Sequence, residues 1–318
     1  MPEGHSVRRL ADVFRRDFRG QVLAVSSPQG RFADGAALLD GTALLRTEAH
    51  GKQMFLGFEG GRWLRVHLGL YGKWAFGTGE PPEPRGALRV RLRGAGAEGG
   101  GVWADLRGPT ACEVITTAEK EEARSRLGPD PLRRDGDPEV FAARVARSRT
   151  SVAALLMDQA VVAGVGNVYR AEALFRARTD PFAPGVEVGR ERALALWEDL
   201  VVLLRDGVRR GSIVTTLPAD RPEGRRRGRV RREDAHYVYR RDGLPCRVCG
   251  TPVLTRELVG RNLYWCPVCQ AGLPDLPPVL AETAPVAAAP VTADEATADQ
   301  ATTAQPATVG RAARGAVG

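Results

Sequence analysis

Leu155-Leu156-Met157-Asp158-Gln159-Ala160-Val161-Val162-Ala163-Gly164-Val165-Gly166-Asn167-Val168-Tyr169-Arg170-Ala171-Glu172-Ala173-Leu174-Phe175 reads as a helix, a glycine turn and a second helix. Gly164 and Gly166 allow a tight backbone between the two, and Asn167 suits the N-cap of the second helix, where unpaired N–H groups attract a phosphate. An ordinary helical hairpin with an Asn cap fits the same residues. Around this stretch the pattern stays helical, from about Pro131 to Gly211, with Trp197, Leu200, Val201, Leu204 and Val208 forming one apolar face.

Upstream the pattern changes. Arg126-Leu127-Gly128-Pro129-Asp130-Pro131-Leu132 stops regular structure and reads as a hinge. Before it, from about Gln21 to Val114, short apolar runs such as Met54-Phe55-Leu56 and Trp63-Leu64-Arg65-Val66 alternate with glycines, as in a β-sandwich or flattened barrel. Two turns there carry candidate chemistry. His50-Gly51-Lys52 offers a cation for a phosphate or a leaving oxygen, or simply a solvated lysine. His67-Leu68-Gly69-Leu70-Tyr71-Gly72 offers Leu70 and Tyr71 as wedges between bases, or as core residues. Asp105-Leu106-Arg107-Gly108-Pro109 reads as a turn with an exposed arginine, and Cys112 as a small buried apolar residue.

At the start, Val7, Leu10, Ala11, Phe14 and Phe18 mark one buried face of a helix that would anchor the terminus ahead of it. If Met1 is removed, Pro2 carries a secondary amine with a pKa near ~8 and can form a Schiff base, with Glu3 close enough to move protons. Taken alone, Met-Pro-Glu is also what a processed terminus looks like.

Downstream, Cys246-Arg247-Val248-Cys249 and Cys266-Pro267-Val268-Cys269 are separated by sixteen residues. Two such knuckles can set four thiolates tetrahedrally around one structural zinc. Val259-Gly260-Arg261-Asn262 between them would be a hairpin turn presenting Arg261 outward for a phosphate. Arg221, Arg225, Arg226, Arg227, Arg229, Arg231 and Arg232 crowd a loop before the knuckles, either solvated or tracking phosphates. From about Ala271 the chain is Ala, Pro, Thr and acidic residues without periodicity, as in a disordered tail.

The 318 residues suffice for two or three domains, and a net charge of +8 with pI near 9.7 favours a polyanionic partner. No apolar run reaches the roughly 18 residues needed to cross a bilayer, and no signal peptide opens the chain, so a soluble cytoplasmic protein with reduced cysteines and no membrane partner is expected.

Three of these motifs together, Pro2-Glu3-Gly4, the run from Asp158-Gln159 to Phe175, and the four-cysteine finger holding Gly260-Arg261, resemble the formamidopyrimidine-DNA glycosylase and endonuclease VIII family. The resemblance covers about Pro2 to Gln270 and makes the central run a helix-two-turns-helix signature. It implies an α+β multidomain protein: an N-terminal β-sandwich domain with its helix (residues 1–127), a helix-two-turns-helix domain with the basic loop (128–234), a β-hairpin zinc finger (235–270), and the tail (271–318). It also implies that Pro2 attacks C1′ of a damaged nucleotide, that Glu3 serves as acid and base, and that Lys52 contacts the backbone and assists β-elimination. Asn167, with Gly166 beside it, and Arg261 would grip phosphates around the lesion, Arg261 also serving δ-elimination, and Arg126 would be a further DNA contact. Leu70 and Tyr71 would fill the gap left by a flipped base. The expected partner is damaged double-stranded DNA, with single-stranded or bubble DNA as an extension, and the expected state is a monomer.

Two departures stand out. His5-Ser6 replaces an acid the family usually carries, and the purine branch's Arg-Phe wedge is absent from Asp105–Pro109. With Gly4 and Leu70-Tyr71 they tilt the expectation toward the endonuclease VIII branch and oxidised pyrimidines. A purine-type glycosylase and a non-catalytic, zinc-dependent binder of damaged DNA are the alternatives.

Overall fold

A computed structural model of the chain describes residues 2–95, 100–222 and 230–273. The first helix, α1 (Gly4–Asp17), buries Val7, Ala11 and Phe14, with Phe18 at its C-cap, as the three- and four-residue spacing predicts. Phe14 meets Trp74 and Phe76 edge-on at centroid distances of 4.8 and 5.3 Å. Each such aromatic side chain taken out of water stabilises the fold by about 1.5–3 kcal/mol. These contacts tie the helix, and with it the N-terminus, to the sheet.

Eight antiparallel strands follow, in the order β5-β7-β6-β1-β2-β3-β4-β8. Strand β1 (Val22–Ser26) pairs through Val22 and Leu23 with β2 (Thr42–His50), and through Ala24–Ser26 with β6 (Leu88–Gly94). That one strand therefore joins two four-stranded halves around a common core of Leu23, Leu44, Leu56, Leu64, Leu92 and Leu106. Strand β2 turns at Gly51 into β3 (Gln53–Phe58), and β4 (Arg62–His67) turns through Leu68–Gly72 into β5 (Lys73–Thr78). The remaining strands are β7 (Val102–Arg107) and β8 (Ala111–Thr116).

Here the turn expected at Asp105–Pro109 needs correction. Asp105, Leu106 and Arg107 end β7, and Asp105 is fully buried, accepting bonds from Arg91 at 2.7 and 2.9 Å and from Arg107 at 2.8 Å. A buried carboxylate must be paired, and the pairing holds Arg107 against the sheet. Two short helices had no periodicity strong enough to announce them: α2 (Ala33–Leu39), and α3 (Thr117–Ser125) behind a Thr116/Glu119 capping box.

The stretch expected to be a hinge is instead fastened on both sides. Gly128 N–H donates to Gln159 O at 2.8 Å, and His50 Nε2 lies 3.0 Å from Gly128 O. Buried Asp130 accepts from Gly51 N–H at 2.7 Å and from Leu132 N–H at 2.8 Å. The segment thus ties the β2–β3 turn to the helical half.

That half comprises α4 (Pro138–Ala146), α5 (Val152–Leu155), α6 (Asn167–Arg176) and α7 (Gly185–Arg210). The first helix of the opening stretch ends at Leu155, and turns rather than helix carry the chain to Gly166. The last module is a hairpin of β9 (Leu254–Leu258) and β10 (Arg261–Trp265). It docks firmly: Leu263 enters the helical core, while Tyr264, Val253 and Cys246 pack with Phe175 and Tyr237. Of the basic loop, Arg225, Arg226, Arg227 and Arg229 lie outside the described residues, as does the tail from 274. Arg221 is buried and donates to Thr216 Oγ1 at 2.9 Å, so it is not a solvated phosphate-tracking side chain. No helix of the described residues is long and apolar enough to cross a membrane.

Candidate active site and metal centre

Three glycines, at the start of α1, in the β2–β3 turn and just before α6, meet at the base of Glu3. Gly4 N–H donates to Gly164 O at 2.8 Å, and a Cβ on Gly4 would stand 2.9 Å from Gly164 Cα. A Cβ on Gly51, at φ +57°, would stand 2.9 Å from Ala163 Cβ. Gly164 itself has φ +92°, a region open to glycine. Backbone-to-backbone packing of this kind leaves no room for side chains, and it fixes the N-terminus, the β2–β3 turn and the start of α6 as one unit.

Within that unit Glu3 is completely buried, and its carboxylate accepts from Gly166 N–H and Val168 N–H, each at 2.9 Å, and from Tyr169 N–H at 3.5 Å. The N-cap of α6 is Gly166, in extended conformation and without a side-chain cap bond. Asn167, expected to be the N-cap, is instead the first helical residue. The unpaired N–H groups at this helix start do attract an anion, and it is the carboxylate of Glu3 from 163 residues away. A Cβ on Gly166 would sit 2.5 Å from the Glu3 carboxyl carbon. Burial raises the Glu3 pKa above its ordinary value; the charge of Lys52 and the three backbone donors pull the other way.

Lys52 Nζ donates to Val165 O at 2.7 Å, one residue from the N–H that Glu3 holds. Burial lowers its pKa, Glu3 opposes the shift, and Arg261 adds to it. Glu3 and Lys52 are thus both displaced toward their neutral forms, which suits groups that must exchange protons near neutrality.

Beside them Asn167 donates through Nδ2 to Asn262 O at 2.9 Å, and its Oδ1 accepts from Arg170 Nη2. Arg170 is fully buried and donates to Leu258 O at 3.3 Å; burial, then Arg261, lowers its pKa to about 10, so it stays charged at neutral pH. No carboxylate pairs with it among the described residues. The nearby charge of Glu3 opposes the lowering without forming an ion pair with it. Arg170 was missed in the sequence, although its i+3 spacing from Asn167 places both on one helix face. Glu172 was missed too: it is buried and accepts from Tyr237, Val238 and Tyr239 N–H at 2.7, 2.9 and 2.7 Å, which moors the segment leading into the finger to α6.

Arg261 stands exposed at the hairpin turn, after Val259 at φ +56° and Gly260 at φ +63°. Leu70 and Tyr71 are 46% and 84% exposed, so they are not core residues. Both line a cavity of about 750 Å³ with Asn167, Arg232, Arg240 and Arg261. Arg126, by contrast, lies at the end of α3, exposed and paired with Glu122. The structure does not bring it to this cavity.

The sulfurs of Cys246, Cys249, Cys266 and Cys269 lie within 4.8 Å of one another, with Cys246–Cys269 at 3.9 Å and Cys249–Cys266 at 3.4 Å. Zn–S bonds of about 2.3 Å in a tetrahedron require S···S edges of roughly 3.8 Å. Val248 N–H and Cys269 N–H point at the sulfurs of Cys246 and Cys266 at 3.5 and 3.4 Å. Four thiols at this spacing, with backbone donors in support, fit one structural zinc.

A β-rich N-terminal domain, a helical domain in which the turn before α6 and its first residues hold Glu3 and Gly4, and a four-cysteine hairpin define a three-module class. Family models agree with each module: the formamidopyrimidine-DNA glycosylase N-terminal domain matches residues 1–112, its H2TH domain residues 127–218, and the zinc finger found in FPG and IleRS residues 243–272. The chain belongs to the formamidopyrimidine-DNA glycosylase and endonuclease VIII family. It is 50% identical over 284 residues to Endonuclease 8 1 of Mycobacterium tuberculosis, covering 85% of this chain and 100% of that protein. To the formamidopyrimidine-DNA glycosylase of Thermus thermophilus it is 34% identical over 278 residues, 85% of this chain and 98% of the relative. The crystal structure of the MutM (Fpg) protein from Thermus thermophilus superposes with a TM-score of 0.66 at 30% identity, covering 86% of this chain and 100% of that one.

Proposed function

We propose that this protein is a bifunctional DNA glycosylase and abasic-site lyase that removes oxidised bases, pyrimidines foremost, from damaged DNA in the cytoplasm. The observation that carries the reading is the Glu3 carboxylate, buried on the N-terminus of α6 beside Pro2, with Lys52 held on the carbonyl of the same Val165–Gly166 peptide group whose N–H Glu3 accepts. The tilt toward pyrimidines is supported by 50% identity to a relative named Endonuclease 8 1 against 34% to one named formamidopyrimidine-DNA glycosylase.

Once Met1 is removed, the neutral Pro2 nitrogen bonds to C1′ of the flipped nucleotide. The C1′–base bond breaks, and its electron pair leaves with the base, which takes up a proton. Glu3 then receives the proton of the Pro2 nitrogen and returns it to O4′ as the C1′–O4′ bond opens, leaving an iminium at C1′. The iminium acidifies the C2′ hydrogens. Loss of one breaks the C3′–O3′ bond, with Lys52 placed to steady the departing phosphate, and a second elimination at C5′–O5′ follows with Arg261 at that end. Asn167 and Arg261 hold flanking phosphates, while the Gly166 N–H expected to do so is taken by Glu3; Leu70 and Tyr71 occupy the gap in the duplex. The zinc, held by its four cysteines, keeps the hairpin that presents Arg261 and takes no part in the chemistry.

These roles divide the chain at residues 1–127, 128–234 and 235–270, acting as a monomer on duplex DNA, and on single-stranded or bubble DNA where the base is already unpaired. Arg126 would reach the backbone only after leaving Glu122. The test is a panel of duplexes carrying thymine glycol, 8-oxoguanine or an abasic site, scored for base release and strand cleavage. Release of thymine glycol with cleavage is expected. Binding without release from any duplex would leave a zinc-dependent binder, and preferential release of 8-oxoguanine would move the chain to the purine branch.

A further inference from the structure

Between α5 and α6 the chain runs through turns, and such a stretch must satisfy its backbone N–H and C=O groups without a helix or a sheet. Much of that falls to Gln159. Asp158 Oδ1 accepts from Ala160 N–H at 2.8 Å and turns the chain there, and the Gln159 carbonyl accepts from Gly128 N–H at 2.8 Å. The Gln159 amide then spans the turn. Its Oε1 accepts from Gly164 N–H at 3.1 Å, while its Nε2 donates to Met157 O at 3.1 Å and to Val165 O at 3.0 Å. Flipping the amide would set its nitrogen against an N–H and its oxygen against two carbonyls, so only this orientation satisfies all three partners.

Val165 O is also the oxygen that takes Lys52 Nζ, at 2.7 Å. A carbonyl oxygen has two lone pairs, and here Gln159 and Lys52 take one each. The same peptide group continues into the Gly166 N–H that Glu3 accepts at 2.9 Å. Gly164, held at its N–H by Gln159, gives its own carbonyl to Gly4 N–H at 2.8 Å. One amide side chain therefore stands behind both the acceptor of Lys52 and the backbone that seats the terminus. The charge of Lys52 is opposed by burial, favoured by Glu3 and opposed by Arg261, and Lys52 in turn acts on His67 at the end of β4. Against that balance an aimed carbonyl favours the charged lysine.

We propose that Gln159 is a positioning residue for Lys52: by sharing the Val165 carbonyl it keeps that acceptor aimed at the ammonium, and so places the cation for the elimination step. The inference rests on the lyase reading, in which the departing phosphate gives that placement its use. Gln159 itself meets no reacting atom and acts through Val165 O. Two substitutions separate this role from that of an ordinary turn residue. Gln159→Ala frees the carbonyl to turn away, and the charged lysine loses its fixed acceptor. Gln159→Glu, of the same size, can still accept from Gly164 N–H but sets a negative charge near the ammonium, and an opposite charge within ~4–6 Å favours the charged form. The two changes thus push Lys52 in opposite senses, whereas a merely loosened turn would push it one way in both. Neither alters Glu3, Arg261 or His67.

Two measurements test it, and the first needs neither DNA nor catalysis. The chain has only three lysines, Lys52, Lys73 and Lys120, so an NMR titration of the full chain labelled with carbon-13 at lysine Cε reads Lys52 directly, its resonance assigned through Lys52→Arg. Gln159→Ala should lower the Lys52 midpoint by about half a pH unit, most of the worth of one hydrogen bond. Gln159→Glu should raise it by about one pH unit. Midpoints that stay put, or that move the same way in both, would overturn the proposal. If Gln159→Ala does not fold, Gln159→Glu decides alone, and a midpoint unmoved or lowered there would overturn it. The second measurement is strand cleavage at a preformed abasic site across pH. Its alkaline limb should move down in Gln159→Ala and up in Gln159→Glu. A wild type that cleaves, with limbs that coincide in all three proteins, would refute the positioning role. A wild type that cleaves nothing, while the NMR midpoints still part, would refute the lyase reading and leave the hold of Gln159 on Lys52 standing.

Discussion

Glu3 is held by donors that favour its charge and by a burial that opposes it, and burial wins. With the folded-state value above the ordinary 4.5, the folded chain keeps a proton over a pH range in which the unfolded chain has released it. Stability from this group is therefore present below the ordinary value and is lost as pH rises through the raised one. The stability of the wild type relative to Glu3→Gln, from urea unfolding, should fall as pH climbs above 4.5; a difference that grows with pH would contradict the assignment. Gly166 sets the same group by what it lacks. A methyl there meets the Glu3 carboxyl at 2.5 Å, so Gly166→Ala should fold, keep its zinc, and lose on the order of 100-fold in base release, as expected when a reacting group shifts by about an ångström. Activity near wild type would mean that Glu3 needs no such placement.

Among the elements, α6 carries the most. Its first N–H groups hold Glu3, Asn167 and Arg170 on one face brace the β9–β10 hairpin, and Glu172 moors the strand of chain leading into the finger. Arg261 at the hairpin tip should therefore act as a fixed phosphate contact. Arg261→Ala should weaken binding to every duplex alike and reduce the slope of log K against log salt by about 1, read by fluorescence anisotropy across a salt series; an unaltered slope argues against the contact. Much of this element was legible from Gly164, Gly166 and the apolar spacing that follows. The anion at its start was not. A helix N-terminus advertises that it wants a negative charge, but nothing local says that the charge comes from residue 3 rather than from a ligand, since tertiary contact decides it. The same limit hid Asp105, whose polar-apolar-polar surroundings before a Gly-Pro pair resemble a turn until its bonds from Arg91 and Arg107 are seen. Asp130 was hidden likewise: Gly-Pro-Asp-Pro looks like a break in the chain and is in fact a fastening.

At the scale of the whole molecule, the modules lean on one another rather than hang in series. Leu263 of the finger lies in the helical core and Gln270 Nε2 donates to Thr179 O at 3.0 Å, so the metal's contribution, on the order of 10–16 kcal/mol in isolated fingers, reaches beyond the hairpin. Chelation, or Cys249→Ala, should release one zinc per chain, lower the melting temperature of the helical half and abolish tight DNA binding, while the strand-rich N-terminal half keeps its circular dichroism. Retention of zinc by Cys249→Ala would show the ligand set to be wrong. The four cysteines could be read as a unit because ligand spacing is local in the chain. Local spacing could not show that Glu3, the β2–β3 turn and the start of α6 meet, because the contact joins distant parts of the chain and is made by glycines whose role is to be absent from the space between them; the resemblance, not the spacing, grouped Pro2, Lys52, Asn167 and Arg261. What binds the molecule together at that point is the claim that the second residue of the chain is its nucleophile. Borohydride reduction during reaction with thymine-glycol duplex, followed by proteolysis and mass spectrometry, tests it directly. The adduct should map to the N-terminal peptide with Met1 removed and Pro2 modified, and should vanish when any residue is left ahead of Pro2. An adduct on Lys52 or another lysine, or none under conditions where the duplex is bound, would contradict it.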